Sequence, residues 1–590
     1  MLNRIFTIEE RCTGCNKCIA VCPVDCANQV YRAYDGSRKI HVDNEYCIHC
    51  GACLRVCDHG ARDYLDDTDR FFADLSAGVN EPVTVVAAPA AQLHFPELGR
   101  LFGWLKSLDV EHIYDVSLGA DIATWCYLKA REELSISSMI AQPCPAIVNY
   151  CERYMPELLE YLAPIQSPLI CLATYLRSYE KLEGRIMFLS PCIAKSEEIE
   201  DPNTGNLVQY NVTFSKLKKK LREENIDLSG YPSVGFEGMP SGIGHVYSRP
   251  GGLMETIRVT DDSLWVRPID AVFRAYPYLN EYLERRKKGQ CVPDLLDILN
   301  CDAGCNHGTG TDRDISMDDI DWKTNRRKAE KLKEQVKQTE CGVDYTPQTY
   351  FDKHLNWKDF MRSYTDRNVH GRFDDEELEG VYQFLYKRTP ESREINCHAC
   401  GYGSCKRFAQ ALKMGMNVQE SCIDYERSRL KMDLLTDLLN HGGLGDALEN
   451  FLCWYNKSSF SLSVVMMDVD DFKNVNDSFG HDIGDVALQE VANCIRRYLR
   501  PMDAAGRWGG DEFMIIMPHT TREEAARIIE RIRKAIAHSD VLPRGEHFTS
   551  SAGIAEAEPG DTAVSLFQRA DQALYDAKKN KKKRVDKGER

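Results

Sequence analysis

The stretch Arg507-Trp508-Gly509-Gly510-Asp511-Glu512-Phe513 decides how the C-terminal part of this 590-residue chain folds. Apolar residues flank it on both sides, Ala504-Ala505 before it and Met514-Ile515-Ile516-Met517 after it. This pattern predicts two β-strands joined by a Gly-Gly turn. Turn glycines can adopt positive φ and let a large ligand approach the backbone. We therefore expect Asp511 and Glu512 at the tip of a hairpin, where a divalent cation could bind.

Motifs on either side of this turn extend the pattern. Residues 460–468 indicate a buried strand, which runs into the acidic loop Asp468-Val469-Asp470-Asp471-Phe472-Lys473. The remaining motifs are Asp433-Leu434-Leu435-Thr436-Asp437, Asn474-Val475-Asn476-Asp477, Gly480-His481-Asp482-Ile483-Gly484-Asp485 and Ala570-Asp571-Gln572-Ala573-Leu574-Tyr575. These motifs occur in the same order as in the GGDEF-type diguanylate cyclases, which this part of the sequence resembles. The α+β domain of that family would cover residues 430–590.

The resemblance implies that two GTP molecules are joined into cyclic di-GMP and diphosphate, with a 3′-hydroxyl attacking an α-phosphate. Such a transfer depends mainly on positioning and charge neutralisation, which Mg²⁺ on oxygen ligands supplies. By resemblance, the ligands of Mg²⁺ are Asp468, the carbonyl of Val469 and Asp511. Glu512 completes the acidic turn, and Lys473 is a further candidate for the phosphates.

Four other positions match the family's GTP-binding residues. Asn476 and Asp485 stand at the guanine-reading positions, where a carboxylate can accept hydrogen bonds from guanine N1–H and the 2-amino group. Lys578 and Lys582 stand at phosphate-binding positions, and Lys582 replaces the arginine that the family often has there.

Regulation by the product is also implied by the resemblance. Each half-reaction needs its own GTP, so the cyclase would act as a homodimer. Arg500 and Asp503 lie just before the turn, at the family's spacing for a product-inhibition site that binds cyclic di-GMP. Taken in isolation, an Arg-x-x-Asp sequence would indicate only a surface ion pair.

Composition limits the remaining possibilities. A net charge of −16 argues against general nucleic-acid binding, and neither a membrane span nor a signal peptide is visible. The chain has 24 cysteines, many of them in C-x-x-C runs. Without export, these indicate metal ligands in a reducing cytoplasm rather than disulfides.

Two four-cysteine runs open the chain, and together they have the spacing of a two-cluster bacterial ferredoxin. In that pattern the fourth cysteine of each run binds the other cluster. We assign one 4Fe–4S cluster to Cys12, Cys15, Cys18 and Cys57, and the second to Cys22, Cys47, Cys50 and Cys53. This domain would cover residues 1–70. Zinc remains the alternative, although its sites usually pair cysteine doublets.

Residues 80–370 would form an α/β domain that starts with a strand at Val83. Cysteines here lie in separate loops, and together with Gly251-Gly252 the segments that carry them resemble the catalytic domain of iron–iron hydrogenases. By resemblance, a 4Fe–4S cluster is held by Cys144, Cys192, Cys301 and Cys305. Cys305 would also bridge to a two-iron unit carrying CO and cyanide, and Lys195 would donate to a cyanide.

This segment departs from the catalytic hydrogenases where they move protons. Pro143 replaces the proton-passing cysteine that precedes the first ligand in catalytic members, and the stretch Gly119 to Tyr127 falls where those members usually place proton-carrying glutamates. We therefore expect a sensor of H₂ or redox state. Real hydrogenase turnover and a cluster-only or degenerate structural domain are the alternatives.

A fourth metal segment occupies residues 378–428. Its cysteines, Cys397, Cys400, Cys405 and Cys422, resemble those of a small helical 4Fe–4S domain found in corrinoid proteins and hydrogenase-like sensors, with zinc as the alternative. Residues 423–432 read as a helix that leads directly into the cyclase segment. A shift at the cluster could rotate this helix and realign two cyclase domains, whereas the simpler interpretation is a solvated connector.

The sequence thus predicts a cytoplasmic, multidomain signalling protein of mixed α/β and α+β class, in which iron–sulfur centres control a cyclase. The stimulus stays open among H₂, CO, O₂ and a redox partner, as do the sign of control and the loading of the two-iron unit. A hydrogenase with a regulatory cyclic di-GMP-binding domain is the main rival, and a non-catalytic scaffold is another.

Overall fold

The computed structural model describes residues 4–78, 81–141, 143–340, 347–369, 375–458 and 460–586. Side chains at 335–340, 375 and 580–586 fall outside the described set. The chain divides into two compact units, Met1–Ser421 and Cys422–Arg590, and each is considered by itself. None of the described helices has both the length and the apolar character needed to cross a membrane.

Short β-ribbons and helices form the N-terminal part of the first unit. Its elements are β1 (Ile5–Thr7), α1 (Lys17–Ala20), β2 (Asn28–Arg32), β3 (Arg38–Val42), α2 (Ala52–Val56), β4 (Arg62–Tyr64) and α3 (Thr68–Ser76). Strand β1 pairs antiparallel with β4, and β2 pairs antiparallel with β3. Each cysteine run crosses a short helix, α1 in the first run and α2 in the second, so that both runs fold back on themselves.

Two parallel sheets organise the middle of the first unit. The strands are β5 (Val83–Ala87), β6 (Val110–Asp115), β7 (Met139–Ile140), β8 (Arg185–Ser190), β9 (Tyr210–Thr213), β10 (Val266–Ile269) and β11 (Leu295–Ile298). Their order is β6-β5-β8-β9 in one sheet and β10-β11-β7 in the other. Loops that follow parallel strands gather at one edge of a sheet, and the loops after β7, β8 and β11 carry the predicted cysteine ligands.

Helices cover these sheets. They are α4 (Ala91–His94), α5 (Leu98–Lys106), α6 (Ser117–Glu133), α7 (Pro145–Tyr154), α8 (Pro168–Ser178), α9 (Lys195–Glu200), α10 (Phe214–Glu223), α11 (Gly252–Thr260), α12 (Val272–Lys287), α13 (Met317–Glu340) and α14 (Pro347–His354). Strand β5 is buried along its whole length, as expected for a central strand covered on both faces. Helices α15 (Asp375–Phe384), α16 (Pro390–Arg393) and α17 (Cys405–Lys413) complete the unit.

The second unit is a four-stranded antiparallel sheet between two layers of helices. Its elements are α18 (Ile423–Arg429), α19 (His441–Tyr455), β12 (Leu462–Val469), α20 (Phe472–Phe479), α21 (His481–Tyr498), β13 (Ala504–Gly509), β14 (Glu512–Pro518), α22 (Arg522–Ala537), β15 (Ser550–Glu556) and α23 (Ala563–Asp586). The strand order is β13-β14-β12-β15. Along β12, Val465 and Met467 pack into one core while Val464 and Met466 pack into the other, which is the two-residue period of a strand.

The mixed α/β and α+β class predicted from the sequence is confirmed. One local prediction was too long. Residues 423–432 were expected to be helical throughout, but α18 ends at Arg429. The amide of Asn440 donates to the carbonyls of Leu430 (2.8 Å) and Met432 (3.2 Å), so tertiary hydrogen bonds fix the backbone of this segment outside a helix.

Candidate functional sites

The hairpin of β13 and β14 places its acidic turn beside the end of β12. Asp468 on β12 stands opposite Glu512 on β14, and the Val469 N–H donates to the carbonyl of Asp511 at 3.2 Å. Gly510 has φ of +52°, a left-handed conformation that favours glycine. The turn therefore brings the carboxylates of Asp468, Asp511 and Glu512 to one end of the sheet.

The pKa values of these carboxyls reflect their crowding. Burial, and then the charge of Asp511, raise the pKa of Asp468. Burial and the charge of Asp468 raise the pKa of Glu512. Within the described residues no three His, Cys, Asp or Glu side chains group tightly enough to hold a single ion, so the assignment of Mg²⁺ to Asp468, Asp511 and the Val469 carbonyl stays a prediction. Partly buried oxygen donors fit a hard cation such as Mg²⁺.

A lysine balances this negative charge in the structure. The Nζ of Lys578, on α23, lies 2.6 Å from Asp468 Oδ1. Asp470, in the same loop, accepts from Thr549 at 2.5 Å and from Ser551 at 2.6 Å, so its carboxylate fastens the loop. The two aspartates of the sequence D-x-D therefore have different surroundings, and only Asp468 belongs to the acidic cluster.

The predicted guanine-reading residues come from two successive helices. Asn476 lies on α20 and packs against the first turn of α21, because a Cβ built at Gly484 would be 1.9 Å from Asn476 Oδ1. Asp485, the next residue on α21, is exposed, as is Lys473 on α20. The side chain of Lys582 lies outside the described residues.

The predicted product-inhibition pair lies between α21 and β13. The backbone N–H of Arg500 donates to Asp503 Oδ2 at 2.8 Å, and the Arg500 side chain is exposed. Asp503 Oδ1 is buried and has no hydrogen-bond partner among the described residues. Because a buried acceptor without a partner is costly, this oxygen is a good acceptor for a ligand N–H.

The cysteines assigned to the first ferredoxin cluster line one small cavity, which contains Cys12, Cys15, Cys18 and Cys57. Basic groups surround it: Arg62 Nη2 donates to Cys18 Sγ at 3.3 Å, and Lys39 Nζ donates to the carbonyl of Cys12 at 2.7 Å. Burial raises the pKa of Cys18, and the Arg62 guanidinium opposes that rise. A negatively charged thiolate cluster fits this setting.

The cysteines of the second predicted cluster are mutually close and more deeply buried. Burial raises the pKa of Cys22 to about 12 and that of Cys53 to about 11. The pKa values of Cys47 and Cys50 rise well above the ordinary value because of burial and neighbouring cysteines. Four buried thiols that repel one another as thiolates need a cationic core to deprotonate. An iron–sulfur cluster would supply it.

A third cavity gathers the hydrogenase-like ligands from three loops. Its lining includes Cys144, Cys192, Cys301, Cys305 and Lys195. Burial raises the pKa of the Cys144 thiol to about 11 and that of Cys192 to about 12, with neighbouring cysteines adding to both. The remaining walls are mostly apolar, among them Ala88, Leu169 and Phe188. The structure thus brings together all five residues predicted from separate motifs.

Lys195 faces this cavity with its ammonium held by buried partners. Nζ lies 2.5 Å from Glu198 Oε2 and donates to Ser167 Oγ at 3.1 Å. An ammonium group has three N–H donors, so a third remains for a ligand in the cavity. Neither Glu198 nor Ser167 was identified from the sequence, although Glu198 stands at the i+3 position of the same helix, which is a detectable signal.

Two positions that the sequence analysis linked to proton transfer, Pro143 and Cys126, are poor proton carriers. Pro143 lies in the cavity next to Cys144. On α6, burial raises the pKa of the Cys126 thiol well above its ordinary value, while Trp125 Nε1 donates to Asp352 at 2.9 Å. Pro143 has no ionisable group and the Cys126 thiol stays protonated near neutral pH, but burial raises the pKa of the Asp121 carboxyl on the same helix to about 7, so the lack of a proton path stays a prediction.

Direct hydrogen bonds join the second ferredoxin cysteine set to this cavity. Asn300 Nδ2 donates to the carbonyl of Cys50 at 3.1 Å and faces Cys301 Sγ at 3.5 Å. The Tyr276 hydroxyl donates to Asn300 Oδ1 at 2.7 Å. Beside this link, His49 Nδ1 lies 2.8 Å from Glu197 Oε1 on α9. The sequence motifs gave no indication of these contacts, because they depend on the packing of distant segments.

The small metal segment packs on the ferredoxin segment. Asn16 Nδ2 donates to the carbonyl of Ala399 at 3.4 Å, and the Val30 N–H donates to the carbonyl of Met416 at 2.9 Å. Cys400 is buried, Cys405 is half-buried and Cys397 is exposed. Cys422 is the first residue of the second unit, and the assignment of these four cysteines to one cluster stays a prediction.

Three family profiles match separate parts of the chain. Residues 11–61 match the 4Fe–4S dicluster domain, residues 81–309 match the C-terminal domain of the iron-only hydrogenase large subunit, and residues 430–584 match the diguanylate cyclase GGDEF domain. The three resemblances drawn from these parts of the sequence are thereby confirmed.

Individual relatives match the C-terminal part. Diguanylate cyclase DgcP of Pseudomonas aeruginosa is 36% identical over 225 residues, which are 38% of this chain and 34% of that protein. Diguanylate cyclase A of Treponema denticola is 39% identical over 128 residues, 21% of this chain and 34% of that protein. A crystal structure of the GGDEF domain of DgcB from Caulobacter crescentus with c-di-GMP is 32% identical, covers 25% of this chain and 91% of that chain, and has a TM-score of 0.25. The chain spans about a third of the length of the two curated relatives.

Proposed function

We propose that the protein is a diguanylate cyclase that makes cyclic di-GMP from two GTP and responds to H₂ or redox state through iron centres. The observation that carries the cyclase proposal is the carboxylate cluster of Asp468, Asp511 and Glu512, with Lys578 paired to Asp468. The match of residues 430–584 to the GGDEF family supports it.

In this proposal, Asp468, Asp511 and the Val469 carbonyl would hold Mg²⁺, which would neutralise phosphate charge. The ammonium of Lys578 is paired with Asp468 Oδ1 in the structure. Once that oxygen binds a cation, Lys578 would bind the phosphates instead. Asn476 and Asp485 would accept and donate hydrogen bonds at guanine, orienting the nucleotide. Since the positioned groups do no covalent work, alignment of two GTP molecules would set the rate, and this requires a homodimer.

The iron centres would supply the control. The cavity lined by Cys144, Cys192, Cys301 and Cys305 is suited to a buried cluster, and Pro143, which has no ionisable group, would make proton transfer at that cluster slow. A centre that binds H₂ or changes redox state, but turns over slowly, meets the needs of a sensor. Asn300 offers a direct connection from this cavity to the second ferredoxin cysteine set.

The test is an anaerobic assay of GTP conversion by the metallated full-length protein under H₂ and under argon, with infrared spectra of the same samples. We expect CO and cyanide bands and a rate that differs between the gases. Equal rates without diatomic bands would contradict H₂ sensing but leave the cyclase intact. No product under any gas, with H₂ uptake and tight cyclic di-GMP binding, would favour a hydrogenase with a regulatory nucleotide-binding domain.

Asp511→Ala is the control for the cyclase itself. It should abolish the product under either gas, because it removes one of two carboxylate ligands from the metal site. Retained activity would contradict the assignment of Asp511 to that site. Asp470→Ala would not serve as a neutral comparison for Asp511→Ala, because the Asp470 carboxylate accepts hydrogen bonds that hold the metal-binding loop in place.

A further inference from the structure

A separate cavity lies where three segments of the first unit meet. Its lining includes Cys22 and Arg55 from the ferredoxin segment, Phe273 and Tyr276 from α12, and Arg407 from α17. It opens to solvent, and its volume with the open mouth included is about 1150 Å³. Ligand sites occur preferentially at such junctions between segments, and neither the cyclase chemistry nor the proposed sensing site uses this one.

The cavity is lined by a guanidinium group with unpaired hydrogen-bond donors. Arg55 lies on α2, and its Nε and Nη2 are buried without a hydrogen-bond partner among the described residues. Leaving buried donors of a charged group unpaired is costly. A second cation lies nearby, because burial and then the charge of Arg55 lower the pKa of Arg313 to about 10. The Asp302 carboxylate also lines the cavity, but Nε and Nη2 of Arg55 have no hydrogen-bond partner among the described residues, and these donors favour the binding of an anion.

Aromatic groups surround the same space. The Phe273 side chain is 75% exposed at the mouth, whereas Tyr276 is buried in the wall with its ring 4.6 Å from that of Tyr150. Ala271, which precedes α12 and also lines the cavity, has φ of +67°. A residue other than glycine rarely adopts this conformation, and such backbone strain tends to occur at ligand sites. An exposed phenyl ring at the mouth of a cavity is suited to stack on a flat ligand.

We propose that this cavity binds a planar aromatic molecule that carries an anionic group, with its ring against Phe273 and its phosphate or carboxylate at Arg55. The inference is independent of the cyclase proposal. A ligand held here lies beside Cys22, so it excludes water from the surroundings of the second predicted cluster. Since solvent exposure helps to set the potential of an iron–sulfur centre, occupancy would shift the potential of that cluster.

Flavin mononucleotide is a suitable probe, because it joins a flat ring system to a phosphate, and riboflavin is the same ring system without the charge. Equilibrium dialysis against the metallated full-length protein, without oxygen, should give saturable binding of flavin mononucleotide. Riboflavin should bind at least ten times more weakly, since it lacks the charge-assisted hydrogen bonds to Arg55. Inorganic phosphate alone should compete only at much higher concentration.

Two variants localise the binding. Arg55→Gln should weaken flavin mononucleotide binding by ten- to a hundredfold and remove the preference over riboflavin. Phe273→Ala, at an exposed side chain that cannot endanger the fold, should weaken both flavins several-fold. Arg258→Gln is the matched control, because Arg258 is exposed, lies near Asp262 and does not line the cavity, and it should bind like the unaltered protein.

Absence of saturable binding by the unaltered protein would overturn the proposal. So would equal binding by Arg55→Gln and the control. If Arg55→Gln shifts the cluster potential in the absence of flavin while binding is unchanged, the guanidinium serves the cluster rather than a ligand, and the proposal also fails. Cluster absorbance and circular dichroism of the Arg55 and Phe273 variants should match those of the unaltered protein. Unchanged spectra with weaker flavin binding would show loss of the ligand site rather than loss of the fold.

Discussion

The side-chain amide of Asn300 donates to the carbonyl of Cys50 at 3.1 Å and also faces Cys301 Sγ at 3.5 Å. One buried side chain therefore touches a residue of the second ferredoxin set and a predicted ligand of the hydrogenase-like centre. The Tyr276 hydroxyl, 2.7 Å from Asn300 Oδ1, fixes the orientation of the amide. Hydrogen bonds to cluster sulfurs raise the reduction potential, because they stabilise the more negative reduced state.

Asn300→Leu should therefore lower the midpoint potential of the cluster at Cys301. Loss of one weak donor, worth about 1 kcal/mol, corresponds to a fall on the order of 50 mV for a one-electron centre. A redox titration followed by electron paramagnetic resonance would measure it. Tyr276→Phe is the control, since it keeps the amide and should cause a smaller shift. An unchanged potential in Asn300→Leu would show that this amide does not act on the cluster.

Lys578 gives a second prediction. Its Nζ is 2.6 Å from Asp468 Oδ1, and we expect the same ammonium to bind phosphate during the reaction. Lys578→Gln should lower kcat/KM for GTP by ten- to a hundredfold, the usual effect of one charge-assisted hydrogen bond. Initial rates across a range of GTP concentrations would test it.

The adjacent Lys579 provides the control for that experiment. Its Nζ lies over the Tyr575 ring rather than at the carboxylates, so Lys579→Gln should leave kcat/KM nearly unchanged. Equal losses in the two variants would mean that general positive charge on α23, rather than the contact with Asp468, matters.

Local motifs predicted the C-terminal site well, because its essential geometry is local. A glycine turn between two apolar runs forces a hairpin, and the register of β12 and β14 then sets Asp468 opposite Glu512. Spacing indicated which cysteines of the two ferredoxin runs belong together, whereas the four cysteines of the hydrogenase-like cavity were grouped by family resemblance. Cys144 and Cys301 follow β7 and β11, parallel neighbours in one sheet whose loops converge at one edge, whereas Cys192 follows β8 of the other sheet.

Residues whose roles depend on packing between distant segments were missed. Glu198 and Ser167 hold Lys195, and Asn300 joins two cysteine sets, yet no period or spacing marks Ser167 or Asn300. The prediction of the connector helix extended too far, to residue 432, for a similar reason. Helical propensity continues past Arg429, but hydrogen bonds from Asn440, ten residues after Leu430 in the chain, hold the backbone in another conformation. Tertiary contacts override local propensity in such cases.

The product-inhibition pair yields a third prediction. Asp503 Oδ1 is buried without a partner among the described residues, and the Arg500 side chain is exposed nearby. Arg500→Ala should raise the inhibition constant for cyclic di-GMP at least tenfold, because a forked guanidinium contact is lost, while kcat stays unchanged. Arg497→Ala, at an exposed position on the last turn of α21, is the matched control. Unaltered inhibition in Arg500→Ala would remove the site from the proposal.

Asp121 makes a prediction about pH. It is buried on α6, its Oδ2 accepts from the Gly242 N–H at 2.7 Å, and burial raises the pKa of its carboxyl to about 7 from the ordinary 3.8. Below about pH 4 the group is protonated in both the folded and the unfolded chain. Between about pH 4 and pH 7 only the unfolded chain ionises, so the free energy of unfolding falls as pH rises. The full difference corresponds to at most about 4 kcal/mol.

Asp121→Asn should remove this slope, because the amide oxygen can still accept from Gly242 and carries no charge. Thermal unfolding of the metallated protein from pH 5 to pH 8 should therefore show a Tm advantage of the variant that grows with pH. Asp297→Asn should behave in the same way, since burial also raises the pKa of Asp297 to about 7. Asp262→Asn, whose side chain is 87% exposed, should give a curve parallel to that of the unaltered protein. Parallel curves for all three variants would mean that these buried carboxyls ionise at their ordinary pH, and that the pocket around Asp121 compensates its charge.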